Sequence, residues 1–160
     1  MNRTTSLGDT RLMQFCSGNY SGMDLTETFA DEISAFSSPW DWIYGRAAKA
    51  DFFGLLPGDY IPFATSEGEV FEAQIAGMDT YFNTTDHEPG TGHHIDFITR
   101  TCRQEVIPWN LTKTNNGTEE NPNPWRASHL CHELNTRVFD SLPEDLKMHI
   151  IPKRMMIEKR

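Results

Sequence analysis

What this 160-residue chain lacks narrows its chemistry first. Positive charge is scarce: 14 lysines and arginines face 23 aspartates and glutamates, for a formal net charge of −9. Binding nucleic acid takes a concentrated positive surface that displaces counterions from phosphates, so that class of partner is set aside. Long apolar runs are missing too. The opening MNRTTSLGDTRLMQF holds no stretch long enough for a secretion signal, and nothing later reaches the roughly 18 apolar residues of a membrane span. The expectation is a chain folded in a cytoplasm, with no membrane partner. Cysteine is sparse: Cys16, Cys102 and Cys131 are odd in number and show no C-x-x-C spacing. That argues against a zinc ribbon or a redox pair and for reduced, buried thiols. Sequons such as those at Asn83 and Asn110 would matter only on a secretory route.

The usual reagents of catalysis are also wanting. There is no G-x-S-x-G nucleophile turn, no G-x-x-x-x-G-K phosphate loop and no calcium loop of the D-x-[DN]-x-[DN]-G kind. A zinc-protease helix needs H-E-x-x-H, whereas His87-Glu88 runs into PGTGHH, whose proline and glycines forbid that helix. On a strand His93 and His94 point to opposite faces, so the two cannot serve one ion without distortion. A loop site built from His87, His93 and Asp96 is the surviving metal reading; the stronger one has these imidazoles hydrogen-bonding loop backbone. His129 and His132, three apart on a predicted helix, are read as its polar outer face, and carboxylate pairs such as Asp24 with Glu27 as caps. No catalytic residue, metal or cofactor is expected, and the chain is not read as an enzyme.

Aromatic residues are what the chain does have: ten Phe, four Trp and four Tyr supplement a 38% apolar fraction, and one domain's length suffices for a core. Residues 1–23, polar with isolated Leu12, Met13, Phe15 and Tyr20, read as an extended arm that orders only against something else. Residues 24–57 read as helical. DLTE gives a cap at Asp24, with Leu25, Phe29, Ile33 and Phe36 as one stripe ending near Ser37. Ser38-Pro39 starts a second helix whose inner face is Trp40, Ile43 and Ala47 and whose stop is Gly54. Residues 58–160 read as an α+β domain. Phe71, Ala73 and Ile75 alternate with Glu72 and Gln74 in a strand joined to DYIPF by a turn at Glu67-Gly68, and HHIDFITR resumes strand alternation. The polar stretch 110–124 should lie on the surface. Asn123-Pro124 opens a helix with Leu130, Leu134 and Val138 inward. Ser141 to Glu144 caps a short one that breaks at Pro152, and RMMIEKR suggests a final strand. The fold class expected is therefore α+β: an N-terminal arm and helices, then an antiparallel hairpin or small sheet packed with two C-terminal helices.

Trp40 and Trp42, two apart, cannot both face one core from a helix. Trp42 is expected to be the exposed one, and an exposed Trp marks an interface more often than an active site.

The runs GDYIPF, AQIAGMDTYF, GHHIDFITR, NPWRASHLCHELN and VFDSLPEDLKMHIIPKRMMI, preceded by WDWIYGRAAKADFFGLL, resemble a family of uncharacterised proteins of bacteriophages and prophages of Gram-positive, mostly anaerobic bacteria. The likeness spans residues 38–160 and implies no known reaction. Members commonly continue past PKRM into segments similar to C-type-lectin-like and formylglycine-generating-enzyme-like folds. Here the sequence stops at Arg160, so the resemblance implies only a partial fold of that type, without the half that would build a lectin-like ligand site. It also implies a virion component, foremost an auxiliary capsid protein decorating the head. The expected partner is the major capsid protein or another virion protein, in a homo-oligomer or in many copies that hold by avidity. Leu12, Met13, Phe15, Tyr20 and Trp42 are the candidate partner-binding residues. Two further readings stand: a tail or fibre adhesin binding host glycan through exposed Trp and Asn-rich loops, and a metal-dependent hydrolase around His87, His93 and Asp96.

Overall fold

Asp24 caps as its sequence suggests, its carboxylate accepting from the Thr26 N–H at 2.8 Å. The helix it opens is shorter than the stripe predicts. Phe29 leaves helical geometry (φ −116°, ψ 28°) and divides it into α2 (Leu25–Thr28) and α3 (Ala30–Ile33). Its ring packs on Trp42 at 5.1 Å between centroids, while Phe36 falls off the stripe and is exposed. The computed structural model describes residues 7–83, 92–112 and 124–151, and within them the chain is α+β.

Helix α4 (Pro39–Ala47) begins at the expected place. Ser38 Oγ accepts from Asp41 N–H at 3.1 Å, and Pro39 occupies the first turn where its missing N–H costs nothing. It stops well before Gly54, because Ala50 turns left-handed (φ 53°) and the buried Arg46 takes the following loop in hand. The Arg46 guanidinium donates to the carbonyls of Asp51 and Phe53 and lies over the rings of Phe29 and Trp42. Trp40, Ile43 and Ala47 are buried as expected.

The sheet is antiparallel in the order β1 (Tyr60–Ala64), β2 (Val70–Met78), β3 (Ile95–Thr99). The β1–β2 turn is the predicted one, with Gly68 at φ +86° and Thr65 N–H bonded to the Glu69 carbonyl at 2.8 Å. Period-2 alternation buries Phe71, Ala73 and Ile75. A bulge between Ile75 and Gly77 shifts the register against β3, and at Gly77 a Cβ would meet Thr80 Oγ1 at 2.3 Å. One core cluster joins Leu25, Trp42 and Leu55 to Ile61, Phe63 and Ile75, so segments 24–57 and 58 onward share their burial.

Two expectations at the ends of the chain need correcting. The arm 1–23 is not simply extended: Leu7–Cys16 form helix α1. After the turn at Pro124–Ala127, the cap is Ser128, whose Oγ accepts from Cys131 N–H at 3.0 Å; Asn123 lies outside the described residues. Helix α5 (His129–Glu133) passes into a π-helical stretch, Leu134–Val138, that buries none of its residues. The widened π turn adds a residue per turn and rotates Val138 and Phe139 off the line of Leu130 and Leu134. Ion pairs hold this helix instead: Arg137 reaches Glu67 (2.9 Å), Glu105 (2.7 Å) and Glu133 (2.9 Å). Helix α6 (Glu144–Lys147) packs Leu146 on the core, but Ser141 donates back to the Val138 carbonyl and caps nothing. The suggested strand RMMIEKR lies outside the described residues.

Candidate functional site

Helix α1 is fixed to the body through one buried carboxylate. Asp59, fully buried, follows Gly58 at the start of β1 and accepts four hydrogen bonds: from the Arg11 guanidinium, the Tyr20 hydroxyl, Met23 N–H at 3.0 Å and Leu56 N–H at 2.9 Å. Arg11 also donates to the Gly54 carbonyl at 3.0 Å and to Tyr20 Oη at 2.7 Å. The approach is close because Gly22 (φ +83°) lies where a Cβ would stand 1.9 Å from the Gly58 carbonyl oxygen. Burial and the hydrogen bond to Asp59 push the Tyr20 phenol up to about 12. Burial works against the Arg11 charge, but its bonds to Tyr20 and Asp59 prevail and raise its pKa.

The five residues expected to bind a partner separate accordingly. Leu12 (52% exposed) and Met13 (67%) lie on the outside of α1, with Arg11 turned inward, whereas Phe15 (40%), one turn after Arg11, packs edge-on against the Tyr20 ring at 6.2 Å. Tyr20 is spent on Asp59 and so belongs to the anchor rather than to a partner surface. Trp42 is the clear correction: it is 1% exposed, packed on Phe29, with its indole N–H donating to Glu32 at 3.3 Å. Both tryptophans are buried because α4 is covered on two sides. Trp40 meets Phe63 and Phe97 of the sheet, and Trp42 meets the α2–α3 segment.

In the histidine corner both His93 and His94 have protein partners. His94 Nδ1 faces the Gly92 carbonyl at 2.8 Å, which makes it the donor, and Nε2 then accepts from Tyr81 N–H at 3.3 Å. His93 Nδ1 pairs with Asp79 at 2.7 Å, and the other Asp79 oxygen takes the His94 N–H at 2.8 Å. Burial pulls the Asp79 pKa upward, yet these bonds outweigh it and leave the carboxyl below its ordinary value. Among the described residues no three His, Cys, Asp or Glu are placed to hold a metal; His87 and Glu88 lie outside them.

Three features went unread in the sequence. An apolar groove of about 410 Å³ runs between α4, β3 and α6, lined by Trp40, Ile43, Ile98, Leu142 and Leu146. At its rim His149 pairs with Asp41 at 2.7 Å and stacks on Tyr44. A second cavity, about 370 Å³ and polar, is lined by Asn110, Thr112, His129 and His132. Beside it Trp109 and Trp125 pack at 5.4 Å, each nearly half exposed. Cys16 and Cys102 are exposed and Cys131 is half-buried, against the expectation of buried thiols. Among the described residues no helix is long and apolar enough to cross a membrane. Comparison of the chain with protein-family models, curated proteins and solved structures finds no match.

Proposed function

We propose that the chain is a structural protein of a bacteriophage virion, foremost an auxiliary protein that decorates the head by docking α1 on the major capsid protein. The observation that carries this reading is the presentation of α1. Leu12 and Met13 face outward from a helix that Arg11 and Tyr20 hold against the fully buried Asp59, with Phe15 exposed at its edge beside the Tyr20 ring. An apolar face on a fixed helix suits docking, since little ordering entropy remains to be lost on contact. The resemblance of residues 38–160 to phage and prophage sequences supplies the kind of partner, and a repeating shell multiplies weak contacts. No catalytic step is assigned. Quantitative mass spectrometry of purified particles, counting this chain against the major shell protein, tests the proposal. Many copies per particle are expected, reduced at least tenfold by Leu12→Asp with Met13→Asp. A count of zero removes the virion reading.

A second reading, a tail-associated adhesin for host glycan, draws on Trp109 and Trp125 beside the cavity of Asn110 and His129. Exposed indoles stack on sugar faces while amide and imidazole groups bond hydroxyls. It predicts a handful of copies per particle and adsorption to host cells that Trp109→Ala with Trp125→Ala abolishes.

A further inference from the structure

The loop after α4 presents an aromatic ring to solvent on a backbone that two buried arginines hold in place. Phe53 is 89% exposed, the highest value among the large apolar side chains of the described residues, while Leu55, two positions on, is buried in the core. A slack loop would lay such a ring back on the body, because a phenyl face left in water is unfavourable. Here the backbone is fixed against that. Arg46 donates from Nη2 to the Phe53 carbonyl and from Nε to the Asp51 carbonyl at 3.1 Å. The Asp51 carboxylate accepts the Phe53 N–H at 3.4 Å and pairs with Arg46 at 3.3 Å. Arg11 donates to the next carbonyl, that of Gly54, at 3.0 Å. Ala50 and Gly54, both left-handed (φ 53° and 79°), bracket the segment. A ring offered on a preset backbone suits an interface anchor: little ordering is left to lose, and the ring's whole area is gained when a partner covers it.

The surroundings narrow the class of partner. Phe53 lines neither of the two cavities, so it is not the wall of either as a small-molecule site. A nucleic acid or an anionic lipid surface would need cations around the ring, whereas its sequence neighbours supply Asp51 against Lys49 and the chain carries −9. What the ring fits is an apolar socket on a protein surface. Its position relates that surface to α1, because the side chain that reaches Gly54 belongs to the residue before Leu12. With 3.8 Å between successive Cα atoms and an arginine reach of about 7 Å, Leu12 and Phe53 are at most about 20 Å apart at Cα. An interface of ordinary size, about 800 Å² per partner, is about 30 Å across, so one contact spans both.

We propose that Phe53 is the central anchor of the contact made by α1, its ring entering an apolar socket on the partner protein while Leu12 and Met13 pack beside it. The proposal rests on the reading of α1 as the docking element and adds the residue that carries most of the affinity. It gives a use to the two buried guanidiniums, which fix the helix and the loop relative to each other through Asp59 and Gly54.

Binding to particles produced without this chain tests it. Purified full-length protein, wild-type or variant, is added to such particles, and bound copies are counted by quantitative mass spectrometry. Phe53→Ala should bind at least tenfold more weakly with an unchanged urea midpoint, whereas Val106→Ala, which removes an 88% exposed apolar side chain elsewhere, should change binding less than twofold. Wild-type binding that Leu12→Asp with Met13→Asp destroys and Phe53→Ala leaves intact would overturn this inference and leave the α1 reading standing. No wild-type binding would remove both. Loss through Phe53→Ala alone, with the α1 variant still bound, would overturn the shared contact. An equal loss in Val106→Ala, or a lowered midpoint in Phe53→Ala, would overturn it as well, the first showing general stickiness and the second a ring that packs on its own chain.

Discussion

Replacing Asp59 with Asn strikes the anchor of α1 at its centre. The amide keeps one acceptor oxygen but turns an NH2 group toward donors: the Arg11 guanidinium, the Tyr20 hydroxyl and the N–H groups of Met23 and Leu56 all converge there. Arg11 is then a nearly buried charge without a counter-ion. Breaking a buried pair from one side costs about 3–5 kcal/mol, a large part of a domain's roughly 5–15 kcal/mol. With a urea slope of about 1–3 kcal/mol/M, the unfolding midpoint should fall by about 1–3 M. The chain has a cheaper escape, which is to release α1 and solvate Arg11; the midpoint would then move less while the amides of residues 12–16 lose exchange protection. Arg11→Met leaves the fully buried Asp59 carboxylate three donors but no counter-ion, so it should cost a comparable amount, about 3–5 kcal/mol. Loss of this size from either side of the pair is the signature. A midpoint shift under about 0.5 M with α1 amides still protected would refute the anchor.

Other perturbations have definite directions. Trp42→Ala should cost about 3–5 kcal/mol in chemical denaturation, where a surface tryptophan would cost under about 0.5 kcal/mol. Tyr20 has a phenol pKa of about 12 against an ordinary 10.0, so its neutral form favours the fold. Its contribution is whole below pH 10 and is lost as pH rises through about 12, and Tyr20→Phe should flatten that limb of a stability titration. Asp79 is the reverse case. Its carboxyl lies below the ordinary 3.8, so its contribution is present above that value and disappears as pH falls through the lowered one; Asp79→Asn should remove the slope. The exposed pairs of Arg137 with Glu67 and Glu105 are open to screening, so raising salt to 1 M, or Arg137→Met, should speed proteolysis near residues 128–140.

The parts of the fold that were legible in sequence are those fixed by neighbours along the chain. Period-2 burial at Phe71, Ala73 and Ile75, the Ser38-Pro39 start of α4 and the Asp24 cap each need only a few consecutive residues. Helix α1 was not legible, because its isolated apolar residues stay exposed and its anchor is Arg11 meeting a carboxylate 48 positions away. An aspartate between Gly58 and Tyr60 looks like a turn residue until four donors are seen to converge on it. Leu130, Leu134 and Val138 misled for a different reason. Four-residue spacing is the same whether a stripe is buried or a π turn breaks its line, and the charges that hold the helix come from Glu67 and Glu105, far along the chain. Trp42 was misjudged from a correct premise: two residues two apart do face different ways, but α4 is covered on both sides.

The anchor bears on how docking would work if α1 is the docking element. An arm that ordered only on contact would give up about 1–2 kcal/mol of backbone entropy per residue, on the order of 10 kcal/mol or more for a helix of this length. Each copy would then bind weakly unless its interface were large. With Arg11, Tyr20 and Asp59 setting α1 in place beforehand, that cost falls during folding, and burial of Leu12, Met13 and Phe15 contributes to contact nearly undiminished. A variant that frees α1 without touching those three residues separates the two situations. Arg11→Met should lower shell occupancy although no residue of the docking face has changed, and a synthetic α1 peptide should compete poorly because it has to order on binding. Full occupancy by Arg11→Met would mean that the face, and not its prior placement, carries the contact.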